Sequence, residues 1–114
     1  MNVAVVRGCL SRPPLVRELP SKDRVANLEV TVAADRSGRA HSVPVVVADP
    51  PDWVVGLNQG AEVVVLGQVR RRFFRAGNTT GSRTEVVAER VVMASQARRV
   101  EALVQRATRS LNDG

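Results

Sequence analysis

The stretch RVANLEVTVA, residues 24–33, alternates side by side along its length. Ala26, Leu28, Val30 and Val32 fall on one side, and Val25, Asn27, Glu29 and Thr31 on the other. A strand sends successive side chains to opposite faces, so this period predicts a strand with one face buried. Valine dominates the apolar residues of the whole chain and tyrosine is absent. A branched Cβ fits a pleated surface better than a helix, which tilts the chain towards β structure. Its 114 residues suffice for one domain with a single modest core.

Further apolar runs are separated by turn signals. Residues 3–10 read as a first strand, with Arg7 interrupting the run and Gly8 marking a bend or a close backbone approach. Pro13, Pro14 and Pro20 break regular structure around a short extended piece. AHSVPVVV, residues 40–47, is a third strand in which Pro44 cannot donate to a ladder, so an edge or bulge is expected there. DPPDWVVGLNQG, residues 49–60, predicts a short helix with Asp49 as N-cap and Gly60 near its end. Residues 62–75 and 83–94 are two long strands around the tip AGNTTGS, a hairpin expected to extend beyond the sheet. From Ser95 the period changes: Ala97, Val100, Leu103, Val104, Ala107 and Leu111 recur at helical spacing, and LNDG is expected to fray. This order predicts an all-β fold, a five-stranded OB-fold Greek-key barrel with a short helix between strands three and four and a C-terminal amphipathic helix. Residues 1–94 would form the barrel domain and 95–114 a helical extension.

The formal charge is +6, from 17 basic and 11 acidic residues, and every basic residue but Lys22 is arginine. Such a balance draws a chain towards polyanions without naming one. Cys9 is the lone cysteine, so an internal disulfide is impossible, and it reads as a packed small residue rather than a reactive thiol. No apolar run approaches the roughly 18 residues of a membrane span. With no signal-peptide pattern at the start, a cytoplasmic location without membrane contact is expected. Nothing resembles a metal-ligand cluster, a phosphate-cradling glycine loop or a cofactor motif. Asp49 and Asp52 read as helix-start residues rather than an acid/base pair. No enzymatic activity, metal or cofactor is expected.

The densest basic stretch, GQVRRRFFRAGNTTG at residues 67–81, holds two of the chain's three aromatics and no acid. On a strand, Val69, Arg71 and Phe73 share one side, and Gln68, Arg70, Arg72 and Phe74 the other. Two readings fit: a solvated hairpin with a packing phenylalanine, or a row suited to single-stranded nucleic acid. In the second, guanidinium groups pair with phosphates and a ring stacks on an unpaired base. Five engaged phosphates would give a salt slope of about −3.5.

Several motifs together resemble the bacterial single-stranded DNA-binding protein family. They are Asn2, Gly8 and Leu10 near the start, then Arg12, Pro14, Arg17, Pro20 and Ser21, then VAN at residues 25–27. His41, QGAEVVVLGQV at residues 59–69 and TEVVA at residues 84–88 continue the likeness, which covers about residues 1–93. The resemblance implies single-stranded DNA binding in replication, recombination or repair, with little sequence specificity. Phe74, in line with Gln68, Arg70 and Arg72, matches the family's fourth-strand aromatic, and Arg17, Arg75 and Arg83 would add phosphate contacts. Ala40 and Val46 stand where the family usually has aromatics, and a further tryptophan near the end of the second strand is missing. Trp53 reads as a packing residue. Family members assemble as homo-oligomers, tetramers or dimers, which gives His41 an interface role, and they work in the bacterial cytoplasm with the nucleoid. The acidic, phenylalanine-ended tail common in the family is replaced by an arginine-bearing helix, expected to pack rather than to recruit. A primosomal-type accessory factor that binds DNA weakly and acts through protein partners is the alternative, and RNA is a possible ligand of either.

Overall fold

The computed structural model describes residues 1–113. Along the chain come β1 (Ala4–Leu10), β2 (Leu15–Glu18), β3 (Arg24–Val32), β4 (His41–Ala48), α1 (Asp52–Val55), β5 (Glu62–Ala76), β6 (Thr79–Met93) and α2 (Ala97–Asp113). The strands form one six-stranded sheet in the order β1-β5-β6-β4-β3-β2, and a further β1–β3 pairing closes it into a ring. All pairings are antiparallel except that of β4 with β6.

Closure depends on Gly8. A Cβ there would stand 2.3 Å from the carbonyl oxygen of Thr31, next to the Cys9↔Thr31 pairing that joins β1 to β3. The extended piece between the prolines is a sixth strand, β2, because residues 24–27 of β3 take up its backbone groups. β4 occupies the whole opposite edge of β3. Pro44 lies just outside the β4–β6 pairing, which is confined to Val45↔Val86 and Val46↔Val87.

The alternation in β3 sends Ala26, Leu28 and Val30 inward, where they meet Val45, Val63, Val65 and Val86. Val54 of α1 joins this core. That helix is shorter than expected, and its cap is corrected: Pro51 is the N-cap with no side-chain hydrogen bond, and Gly56 ends it. Asp49 instead takes a left-handed conformation (φ 47°) that turns the chain from β4 towards α1. A second apolar layer lies outside the ring, where Leu103, Ala107 and Val100 of α2 cover Val64 and Leu66 of β5. Val104 and Leu111, expected on the same apolar face, stay about half exposed. Leu111, Asn112 and Asp113 continue α2 rather than fray, and Gly114 is outside the described residues. No helix among the described residues is long and apolar enough to cross a membrane.

β5 and β6 stay paired out to Ala76↔Thr79, so the tip is only Gly77 and Asn78, not the seven-residue loop expected. Gly77 (φ 64°) supplies the positive φ that such two-residue turns require. β1 leaves β5 at Gly67, and β4 touches β6 no further out than Val86. Residues 68–76 and 79–85 therefore project as a two-stranded ribbon of roughly 30 Å.

Candidate nucleic-acid interface

The ribbon's ladder is unbroken from Gly67↔Ala88 to its tip, so the parity of each side chain assigns its face. One face carries Gln68, Arg70, Arg72 and Phe74 on β5, opposite Val87, Glu85, Arg83 and Gly81 on β6. The other carries Val69, Arg71, Phe73 and Arg75, opposite Val86, Thr84, Ser82 and Thr80. Gln68, Arg70, Arg72, Phe74 and Arg83 thus share one face. Arg75 does not. It sits on the opposite face, because its spacing from Phe74 is odd. Arg17 lies exposed on β2, separated from β5 by both β1 and β3 even along the shorter way round the ring.

On the first face the Phe74 ring lies over Gly81, where a Cβ would come within 2.6 Å of Cε2. The ring remains 39% exposed, and the Arg72 guanidinium stands 5.9 Å from its centroid in a cation–π arrangement. Beneath this row lies an acid that the sequence pattern alone does not bring to notice. Glu85 is directly opposite Arg70 and is 2% exposed. Arg70 Nη2 donates to its Oε1 at 3.4 Å. Arg72 Nε approaches the same oxygen to 2.9 Å, but its N–H is not aimed there, and this buried nitrogen has no hydrogen-bond partner. Burying a carboxylate is costly unless it is paired, and two flanking guanidiniums provide the pairing.

Glu29 on β3 likewise gathers two arginines. Arg83 Nη2 donates to its Oε2 at 3.4 Å, and Arg12 lies 3.7 Å from the same atom. Four arginines thus surround two carboxylates on this side of the molecule, leaving an excess of two positive charges. Among the described residues, no carboxylate lies within ion-pairing distance of Arg17, Arg71 or Arg75. The sequence held a signal for Glu85: Gly77-Asn78 as a two-residue turn would have paired Arg70 with it.

The remaining candidates lie elsewhere. His41 opens β4, is exposed, and its Nε2 is 3.1 Å from Asp35 Oδ2. Asp35 also accepts from the hydroxyl and the backbone N–H of Ser37. Those bonds, the Ser37 hydroxyl foremost and then His41, hold the Asp35 carboxyl at about 2, below its ordinary value. Cys9, expected to be packed, has its thiol exposed, because its parity on β1 is opposite to that of buried Gly8 and Leu10. Trp53 is 42% exposed at a separate cleft of about 320 Å³ with Arg90 and Arg99. Among the described residues no three His, Cys, Asp or Glu side chains gather as a metal site would require.

No protein-family model matches the chain, and no curated protein matches its sequence.

Proposed function

We propose that this chain is an OB-fold protein of the single-stranded DNA-binding type, coating or guiding unpaired DNA during replication, recombination or repair. One observation carries the reading: Gln68, Arg70, Arg72, Arg83 and a partly exposed Phe74 share one face of a projecting ribbon. Such a row neutralises phosphates with guanidinium groups and offers one ring to an unstacked base, which gives little sequence preference. The closed ring of strands suits an OB-fold. A homo-oligomer, dimer or tetramer, belongs to the same proposal. Residues 4–8 of β1 have β5 on one edge and no strand on the other, since β3 meets β1 only at Cys9 and Leu10. An unpaired edge of this kind accepts a strand from a second copy, with His41 as a further contact.

The test is a titration with oligo(dT) at two salt concentrations, with duplex of equal length as competitor. Binding should prefer the single strand and weaken with salt by about 0.7 in log–log slope per engaged phosphate. Equal affinity for duplex, or indifference to salt, overturns the reading.

The second reading, an accessory factor acting mainly through protein partners, is favoured by Glu85 and Glu29, which already neutralise some of the arginine row. Weak oligo(dT) binding together with a stable replication-restart partner in cell extract selects it.

A further inference from the structure

The ribbon has two faces of different chemistry, and on only one of them do the arginines have carboxylate partners. On the Phe74 face, every arginine of the ribbon has a carboxylate and the ring has a guanidinium above it. On the opposite face, Arg71 and Arg75 flank Phe73 at two-residue spacing, about 6.5 Å to either side. Neither arginine has a carboxylate within ion-pairing distance among the described residues. Phe73 is 68% exposed, against 39% for Phe74. The residues across from them are Thr84, Ser82 and Thr80, all exposed, neutral and able to donate or accept hydrogen bonds. No acid occurs on this face of the ribbon.

We infer that the Arg71–Phe73–Arg75 face is itself a contact surface for single-stranded DNA, with one base on Phe73 and phosphates at the two flanking arginines. The inference rests on the reading given under Proposed function and adds to it a second face and its residues. Charge complementarity selects the occupant. An uncompensated guanidinium pair around an open ring matches a chain in which anions alternate with flat apolar bases. A phosphate arriving here displaces no intramolecular carboxylate, whereas one arriving at Arg70 or Arg72 competes with Glu85. Contact on this face should therefore contribute at least as much to binding as contact on the other.

The experiment compares oligo(dT) binding by fluorescence anisotropy for the wild type, Phe73→Ala, the double variant Arg71→Gln/Arg75→Gln, and Phe74→Ala. All positions changed are exposed or lightly packed, and thermal melts confirm folding. Phe73→Ala is expected to weaken binding about 5- to 150-fold, the range for loss of one base stack. The double variant should flatten the log–log salt slope by about 1.4. If the wild type binds and both of these variants retain its affinity and slope, this second face is overturned while the functional reading stands. If the wild type itself fails to bind, both fall. If Phe73→Ala lowers the molar mass in solution and leaves the affinity per protomer unchanged, the face is a contact between copies and the inference is overturned.

Discussion

β5 is one strand with two halves that obey different rules. From Val63 to Gly67 both faces are buried, one against the ring interior and one beneath α2. Beyond the register shift between Leu66 and Gly67 the pairing with β6 continues to the tip, and from residue 68 outward every β5 residue but Arg72 is exposed. The inner half reads VVVLG and the outer half QVRRRFFRA. The ladder that holds the outer half does not depend on a core of its own. It is extended from the inner half, and the Asn2 side chain reinforces the junction by bonding both the N–H and the carbonyl of Val69. A ribbon built this way can devote its side chains to a ligand, because its fold is secured elsewhere.

The sharpest way to break this comparison is at the junction. A Cβ on Gly67 would lie 2.1 Å from the carbonyl oxygen of Val87. Gly67→Val is therefore expected to cost more than about 4 kcal/mol and to abolish a cooperative thermal transition, read by circular dichroism. A single transition within about 1 kcal/mol of wild type would show that the junction relaxes freely. Next, Leu66→Ala on the inner half empties a site that is 1% exposed and should cost about 2–5 kcal/mol in denaturant unfolding. Phe74→Ala on the outer half should cost less than about 1 kcal/mol by the same measurement, the usual scale for a surface change. Equal losses at the two sites would mean that the halves are not distinct.

Glu85 sharpens the comparison further, since it is the one buried charge on the ribbon side of the junction. Glu85→Gln keeps an acceptor for Arg70 but removes the negative charge. A stability loss of about 1 kcal/mol is expected, with oligo(dT) affinity rising several-fold at low salt. Weaker DNA binding would indicate that Glu85 acts by positioning the arginines and not by competing with phosphate.

The smallest effect concerns the turn that leads into His41. Asp35 is held at about 2 by Ser37 and His41, so its folded value lies below the unfolded one. The stabilisation is complete above the ordinary carboxylate value of about 3.9 and is lost as pH falls through about 2. NMR titration of the Asp35 side chain should place its midpoint near 2, with Asp35→Asn abolishing the transition and leaving the ribbon's signals unmoved. A midpoint near the ordinary value of about 3.9 would mean that these bonds do not persist in solution.

Much of this is legible in residues that are near one another in the chain. The strand period separates Phe73 from Phe74 and groups Arg70 with Arg72, and the same parity, applied one step further, excludes Arg75 from that group. Gly8 is readable as a close approach, though not which carbonyl it approaches. The β2 segment reads as merely extended because four residues between prolines carry little periodic signal; its strand character comes from β3. Asp49 has the right residue type for a cap, but a cap also requires a backbone conformation that the turn out of β4 does not allow.

Locally encoded properties, then, were set by the order of the amino acids alone: the pleat that sorts side chains to two sides, the turn residues that end each run, and the helical spacing of the last segment. These depend on neighbours a few residues away, so no knowledge of the rest of the chain is needed. Which charges remain unneutralised was decided only when the ring closed and the hairpin found its register. Arg83 and Glu29 are 54 positions apart, and Arg70 and Glu85 are 15. Electrostatic pairing depends on distance in space, and only the folded sheet brings those groups within reach.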